Sequence, residues 1–136
     1  HAPCRMKILE AHHIPGALYP VNFRWLHKKA ALFCENERVI LVCQNAYGVR
    51  FYMVFVGALN VGKMAFSFDE RIQTNAKNAK QIYYMYEDLW SECGAELGKF
   101  EMGSTIVILW EGETFTCKVQ EGEKVRFGQL LAKGRE

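Results

Sequence analysis

Short apolar runs broken by glycine are the feature that most constrains the fold of this chain. The segments 5–11, 38–43, 48–59, 106–110 and 114–119 are each rich in aliphatic or aromatic residues. Runs of this length, bounded by turn-forming residues, are typical of β-strands rather than of helices. We therefore predict a mainly β fold.

Helix is expected only in short stretches. Residues 23–33 favour one helix, and residues 75–97 favour a second. The middle of the second stretch, 82–86, is so rich in aromatic residues that we predict a strand there instead. The polar residues 67–81 are expected to form a long, mobile loop.

Turn signals indicate how the strands are arranged. The segment Glu111-Gly112-Glu113 predicts a hairpin that joins 106–110 to 114–119. Residues 94–98 and 122–129 each place an apolar residue between glycines, as turns of biotinyl and lipoyl carrier domains do. The expected fold is a barrel-sandwich hybrid-like arrangement of two small antiparallel sheets with one or two short helices, forming one domain over residues 1–136.

Composition excludes several classes of protein. Half of the residues are hydrophobic and the net charge is only +2, which disfavours a disordered tail or a nucleic-acid binder. The 5 cysteines form no C-x-x-C pair and no histidine lies at metal-ligand spacing, so we expect reduced thiols, no disulfide framework and no metal. No apolar run reaches the roughly twenty residues that span a bilayer, so any membrane contact is expected to be peripheral or made elsewhere.

The densest early basic group is Arg24, Lys28 and Lys29. Such a group is usually a solvated face. Because Trp25 and Leu26 lie beside it, the group is also suited to anionic lipid headgroups.

One tripeptide, Gly103-Ser104-Thr105, has the chemistry of a bond that a chain breaks by itself. The Ser104 hydroxyl can attack the carbonyl of Gly103, and glycine has no Cβ to block the approach and accepts a strained turn. The same tripeptide also occurs in ordinary turns. Both interpretations are open on these three residues alone.

Five segments in a fixed order carry a resemblance to a known family. They are His1-Ala2-Pro3-Cys4, residues 14–22 (IPGALYPVN), residues 36–39 (NERV), the glycines within 56–62, and residues 98–105 (GKFEMGST). In this order and spacing they closely resemble the catalytic portion of bacterial phosphatidylserine decarboxylases. The resemblance covers nearly the whole chain and implies the same barrel-sandwich fold.

The resemblance implies a carboxy-lyase made by autocatalytic serinolysis between Gly103 and Ser104. Ser104 would become a covalent pyruvoyl group, the cofactor, and Gly103 would be the leaving acyl residue. The enzyme would form phosphatidylethanolamine and carbon dioxide from phosphatidylserine through a Schiff base to the pyruvoyl ketone, which accepts the released electron pair. His1 matches the histidine of the family's His-x-Pro motif and is implied to be the catalytic base or acid.

Tyr19 and Asn22 lie in a segment that the family keeps near its active site, so the resemblance implies that they bind substrate. His12 and His13 are adjacent and would face opposite sides of a strand. Of these two, His13 is the expected substrate-site residue. His27 is interpreted as a surface residue.

The implied partners are phosphatidylserine in an anionic membrane and the two chains produced by self-cleavage, with a homodimer as a candidate assembly and no nucleic acid. The implied location is peripheral, on the cytoplasmic side of the cell membrane. The family's catalytic aspartate and an earlier histidine have no counterpart here, and the chain starts inside the His-x-Pro motif without an initiator methionine or a signal peptide. We therefore expect a fragment of a longer polypeptide.

Alternative functions stay open on the sequence. A non-catalytic barrel-sandwich carrier or binding module would share the glycine-flanked turns, and a serine hydrolase would keep Ser104 as a persistent nucleophile. Residues 57–64 have the glycine and lysine spacing of a P-loop, but Met64 stands where a hydroxyl would hold magnesium, which disfavours nucleotide binding. Lys63-Met64 resembles the lysine hairpin of biotin carriers, although the residues on its N-terminal side differ.

Overall fold

A computed structural model describes residues 1–59, 61, 63–103 and 105–134 of the chain. Its strands are β1 (Met6–Ile14), β2 (Arg38–Asn45), β3 (Arg50–Val56), β4 (Met64–Phe66), β5 (Ile82–Ser91), β6 (Gly98–Phe100), β7 (Ile106–Trp110), β8 (Phe115–Cys117) and β9 (Ala132–Gly134). Two short helices in this described part, α1 (Phe23–Lys28) and α2 (Leu32–Glu35), separate β1 from β2. The predicted mainly β fold with short helices is confirmed.

Five strands form the main sheet, in the order β5-β1-β2-β3-β7. Each neighbouring pair in it is antiparallel. Two smaller antiparallel sheets pair β4 with β6 and β8 with β9. The expected small antiparallel sheets are therefore present, and over the described ranges the main sheet stays open, with β5 and β7 at its edges.

The core lies on one face of the main sheet. Along β1 the inward positions alternate with partly exposed ones, as the period of a strand requires. The β4–β6 ribbon covers this face, and the ring of Phe55 on β3 meets the ring of Phe66 on β4 edge to face, with centroids 5.2 Å apart. The largest fully buried apolar side chains of this region include Met6, Ile8, Leu41, Met53, Ile72 and Leu97. Burial of one such side chain stabilises the fold by about 2 kcal/mol.

The prediction of one helix over 23–33 is wrong. The chain leaves helical geometry between α1 and α2, where Ala31 has a φ of 58°. Because a left-handed residue cannot continue a right-handed helix, the stretch divides into two short helices.

The predicted hairpin between 106–110 and 114–119 is also wrong. Gly112 does form a turn, with a φ of 62°, but the flanking strands find other partners. The apolar strand β7 extends the main sheet by pairing with β3, so that Val107 lies opposite Val54. Strand β8 pairs with β9, across the glycine-containing turns of residues 121–131.

Residues 67–81 contain neither a helix nor a strand, as predicted. Several side chains attach this loop to the rest of the fold, Thr74 and Asp69 among them. Thr74 Oγ1 accepts a hydrogen bond from the Met64 N–H at 2.8 Å and donates one to the Met64 carbonyl at 3.1 Å. Asp69 accepts a hydrogen bond from the Tyr86 hydroxyl. The mobility expected of this loop stays a prediction.

Candidate active site

A cavity of about 190 Å³ lies between β3, the β4–β6 ribbon and the start of β7. Most of its wall is apolar, and Lys99 is the lysine in it. Phe55 and Ile106, which are paired across β3 and β7, both belong to the wall. The lining residues are His1, Phe55, Met64, Phe66, Gly98, Lys99, Phe100 and Ile106. In the sequence, Ile106 follows the expected cleavage point by two positions.

His1, the predicted base or acid, lines this cavity. Its neighbour Ala2 is buried and holds the start of the chain in place. The Ala2 N–H donates to the Ala95 carbonyl at 2.8 Å, and the Ala2 carbonyl accepts from the Gly94 N–H at 2.9 Å. The His1 ring meets the ring of Phe127 edge to face, with centroids 4.7 Å apart. The structure thus brings His1 to the cavity beside Ile106.

Gly103 has a φ of 67°, in the left-handed region that glycine tolerates best. A Cβ at this position would come within 3.6 Å of Val61 Cγ2, which is an ordinary contact. The requirement for glycine at 103 is therefore conformational rather than steric.

Backbone hydrogen bonds hold the chain on both sides of the Gly-Ser-Thr tripeptide. Before it, the Glu101 N–H donates to the Lys63 carbonyl at 2.9 Å. After it, the Thr105 carbonyl accepts from the Val56 N–H at 2.9 Å. Ser104, the predicted nucleophile and cofactor precursor, lies outside the described residues.

The side chain of Asn36 connects the segment 14–22 to the end of β3, where Val56 is hydrogen-bonded to Thr105 of the Gly-Ser-Thr tripeptide. Its Oδ1 accepts from the Tyr19 N–H at 3.0 Å, and its Nδ2 donates to the carbonyls of Tyr19 and Gly57, each at 2.8 Å. Asn36 is fully buried. Gly57 directly follows Val56, whose N–H donates to the Thr105 carbonyl. The Asn36 amide therefore connects the expected substrate segment, 14–22, to the expected cleavage segment.

Gly16 lets the segment 14–22 approach the chain around Asn36 closely. A Cβ at position 16 would lie 2.3 Å from the Glu35 carbonyl oxygen and 2.8 Å from the Glu37 nitrogen, both of them backbone atoms. Ala17 then makes two backbone hydrogen bonds there, donating to Glu35 at 2.9 Å and accepting from Glu37 at 2.8 Å. Only glycine fits such an approach without moving the backbone.

Tyr19 and Asn22, the two substrate-binding predictions in this segment, have well-defined contacts. The Tyr19 ring stacks on Trp25, with centroids 5.9 Å apart, and Lys29 Nζ lies 4.4 Å from the Tyr19 ring centre. Asn22 is the N-cap of α1, and its Oδ1 accepts from the Trp25 N–H at 3.0 Å. Both residues therefore shape the start of α1, and their binding role stays a prediction.

His13, the third predicted substrate-site residue, faces the core, whereas the side chain of His12 is partly exposed. His13 Nε2 lies 2.8 Å from Oε1 of Glu37, and both side chains are buried. The Glu37 carboxylate also accepts from the Asn75 N–H. This arrangement suits positioning of the surrounding chain more directly than contact with a ligand.

Asn36 and Glu37 are the site residues that the sequence analysis did not single out. Both belong to the segment 36–39 that carries the family resemblance, but polar residues ahead of an apolar run are usually exposed. Their burial is decided by contacts with distant parts of the chain. The Glu37 carbonyl accepts from the Gly57 N–H at 2.8 Å, which adds to the link made by Asn36.

Other candidate sites are weaker. In the segment with P-loop spacing, Lys63 Nζ donates to Gln73 Oε1 at 2.9 Å. Met64 is buried on β4. Residues 60 and 62 of this segment lie outside the described part of the chain. Among the described residues, no group of three His, Cys, Asp or Glu side chains is placed to hold a metal ion. In the same part of the chain, no helix has the length and apolar character needed to cross a bilayer.

The chain was also compared with known protein families. The family model described as phosphatidylserine decarboxylase matches residues 1–133. The chain therefore belongs to the phosphatidylserine decarboxylase family, and the resemblance noted from its motifs is confirmed.

Three relatives illustrate the match. A phosphatidylserine decarboxylase proenzyme of Campylobacter jejuni is 47% identical over 132 residues, which cover 97% of this chain and 49% of the relative. One of Helicobacter pylori is 48% identical over 132 residues, covering 96% of this chain and 49% of the relative. A mitochondrial proenzyme of Pongo abelii is 35% identical over 144 residues, covering 96% of this chain and 34% of the relative. The chain thus spans about half the length of the bacterial relatives.

Proposed function

We propose that this chain is the catalytic portion of a pyruvoyl-dependent phosphatidylserine decarboxylase that cleaves itself between Gly103 and Ser104. The observation that carries the proposal is the position of His1 in a cavity whose wall includes Ile106. A cavity lined by His1 and Ile106, together with Gly103 in left-handed geometry three positions before Ile106, supports the proposal. The family membership of the chain and the proenzyme names of its relatives support the same function.

In the proposed self-cleavage, this chain supplies the nucleophile and the candidate base, and one water molecule is consumed. The Ser104 hydroxyl gives up its proton to a base, for which His1 is the candidate, and its oxygen attacks the Gly103 carbonyl carbon. The peptide C–N bond breaks and an ester forms. Elimination then releases the Gly103 carboxylate, and water converts the remaining dehydroalanine to a ketone with loss of ammonia. The anchors at Glu101 and Thr105 hold both sides of the bond during these steps.

The pyruvoyl group, once formed at residue 104, supplies an electron-accepting ketone for the decarboxylation. The residues around it fit this task. The apolar wall of the cavity, which includes Phe55 and Phe100, favours loss of a charged carboxylate as neutral carbon dioxide. His1 is the candidate to return a proton to the carbon that loses the carboxylate.

The proposal keeps Tyr19 and Asn22 on the substrate side of the site. The hydrogen bonds of Asn36 to Tyr19 and Gly57 support this placement, because they connect the segment 14–22 to the strand beside Thr105. His13 contributes through Glu37 by fixing this region rather than by touching substrate.

The proposed partners are phosphatidylserine in an anionic membrane and the second chain produced by the cut, with a homodimer as the candidate assembly. The proposed location is peripheral, on the cytoplasmic side of the cell membrane. Analytical ultracentrifugation of the processed protein tests the dimer, and fractionation of cells tests the location.

The decisive experiment uses the full-length protein and intact mass spectrometry. The wild-type protein should give two chains, with the smaller one starting at residue 104 and carrying a carbonyl in place of its amine. Ser104→Ala should give one uncut mass and release no carbon dioxide from phosphatidylserine. Thr105→Ala is the matched control and should still be cut, because Thr105 is held through its backbone carbonyl.

Each other outcome contradicts a defined part of the proposal. An uncut wild-type protein would overturn self-cleavage and favour a carrier or binding module. If the chain stays uncut and a serine-reactive reagent acylates Ser104, the result would favour a serine hydrolase. Two chains that do not release carbon dioxide from phosphatidylserine would overturn the substrate.

A further inference from the structure

Helix α1 exposes apolar side chains that contribute nothing to the core. None of its residues is buried. Phe23 is 79% exposed and Leu26 is 36% exposed, and residues three apart in a helix lie on the same side. Exposed aromatic and aliphatic side chains on one helix face are typical of a docking surface.

The opposite side of α1 attaches it to the protein. Trp25 is partly buried and stacks on Tyr19. Asn22 fixes the first turn through its hydrogen bond to the Trp25 N–H. The contacts of Trp25 and Asn22 hold α1 in place, and Phe23 and Leu26 lie on its exposed side.

The charge around α1 is basic. Residues 11–34 contain no Asp or Glu, although the whole chain has 15 acidic residues. Arg24 and Lys28 are exposed and have no salt-bridge partner within the described part of the chain. Lys29 pairs with Glu35, with Nζ and Oε2 2.8 Å apart. The apolar pair thus has two uncompensated positive charges beside it.

We propose that Phe23, Leu26, Arg24 and Lys28 form a surface that docks onto an anionic lipid bilayer. An aromatic and an aliphatic side chain enter the interface, while the basic side chains contact the lipid headgroups. This inference deepens the proposed function and rests on it for the identity of the lipid substrate. Docking here would bring the bilayer next to the segment 14–22, which directly precedes α1 and which Asn36 connects to Gly57.

The test measures binding of the full-length protein to vesicles by flotation. The vesicles contain phosphatidylcholine alone or with phosphatidylglycerol, an anionic lipid that is not the substrate. The wild-type protein should bind the anionic vesicles, and more weakly as salt rises. Phe23→Ser with Leu26→Ser should weaken this binding about tenfold. Arg24→Gln with Lys28→Gln should weaken it by about fivefold for each charge removed.

Matched controls use exposed residues elsewhere. Tyr47→Ser removes an aromatic side chain that is 92% exposed, and Lys77→Gln with Lys80→Gln removes two exposed charges from the loop 67–81. Both controls should bind anionic vesicles as the wild type does. The α1 variants should keep self-cleavage and turnover of a short-chain, water-soluble phosphatidylserine.

The proposal is overturned if the α1 variants bind anionic vesicles as tightly as the wild type. That result would mean that another part of the full-length protein carries the binding to anionic vesicles. Equal binding to vesicles of phosphatidylcholine alone would also overturn it, because no anionic lipid would be needed. Loss of carbon dioxide release with vesicle binding intact would instead count against the proposed function, so the two failures are distinguishable.

Discussion

Nε2 of His13 and Oε1 of Glu37 lie 2.8 Å apart between β1 and the chain that enters β2, and both side chains are buried. The backbone N–H of Asn75 donates to both oxygens of the same carboxylate, at 3.0 Å each. The Glu37 side chain thus connects β1 and the loop 67–81 to the segment that enters β2. A buried polar group that loses its partner keeps the full cost of its desolvation.

Glu37→Ala should therefore destabilise the protein strongly. It removes the acceptor of the Asn75 N–H and the partner of His13, and we expect the free energy of unfolding to fall by about 3 kcal/mol. Urea unfolding of the full-length protein, followed by circular dichroism, measures this change. Glu37→Gln should cost less, because an amide oxygen still accepts one of these hydrogen bonds.

Glu101→Ala is the matched control for Glu37→Ala. Glu101 is exposed, and its role at the site is carried by its backbone N–H. Its removal should change the free energy of unfolding by less than about 0.5 kcal/mol. Equal effects of Glu37→Ala and Glu101→Ala would show that the buried pair adds no stability.

Much of the fold could be predicted from local sequence. The alternation of β1 placed His12 and His13 on opposite faces, and the apolar run 106–110 is a strand with those same bounds. The pairing of the strands could not be predicted in this way. Strand β7 pairs with β3, about fifty residues earlier, because that edge offers apolar partners, and local turn signals contain no information about such a distant partner.

The candidate site was predicted only in part. The sequence resemblance identified His1 and Gly103, but the cavity and the contact of His1 with Phe127 depend on packing between distant segments. The burial of Asn36 depends likewise on hydrogen bonds to Tyr19 and Gly57. Residue type alone predicts an exposed asparagine there.

Gly16→Ala should disrupt the approach of the segment 14–22 to Asn36. The new Cβ would lie 2.3 Å from the Glu35 carbonyl oxygen, and the neighbouring backbone would have to move. We expect a loss of about 2–3 kcal/mol in the free energy of unfolding, together with slower self-cleavage. Urea unfolding and the time course of the appearance of two chains measure the two effects.

Gly94→Ala is the matched control for Gly16→Ala, because it introduces backbone strain without steric overlap. Gly94 has a φ of 80°, and a Cβ there would meet nothing within 4 Å. Only the cost of a left-handed alanine applies, about 1 kcal/mol. If Gly16→Ala costs no more than Gly94→Ala, the close approach at Gly16 is not a constraint on this segment.

The cysteines should differ sharply in reactivity. Burial raises the pKa of the Cys43 thiol to about 12, and it also raises the pKa of Cys4. Cys34, Cys93 and Cys117 are exposed. Since the thiolate is the nucleophile, a maleimide should label the three exposed cysteines of the native protein first, and Cys43 only after denaturation.

Peptide mass mapping after timed labelling follows each cysteine separately. Cys34 is the internal reference, because it is exposed and lies on α2. Labelling of Cys43 at the rate of Cys34 in native protein would mean that β2 opens readily, contrary to its central place in the sheet.

Asp69 should make the stability of the protein depend on pH in the acid range. The Arg71 side chain donates to both oxygens of this carboxylate, at 2.8 Å and 2.7 Å, and the Tyr86 hydroxyl donates to it at 2.6 Å. The hydrogen bonds from Arg71, and next those from Tyr86, lower the pKa of Asp69 from 3.8 to about 2 in the folded protein. The ionised form is therefore favoured by folding.

The stability that Asp69 contributes is fully present above its unfolded pKa of 3.8 and is lost as the pH falls towards about 2. Asp69→Asn removes this titration, so the difference in free energy of unfolding between wild type and variant should shrink across that interval. Urea unfolding at a series of pH values measures the difference. Tyr86→Phe is the matched control: it removes one hydrogen bond and should move the transition back towards 3.8 without abolishing it. A difference between wild type and Asp69→Asn that stays constant through this range would mean that the Asp69 contacts do not couple folding to protonation.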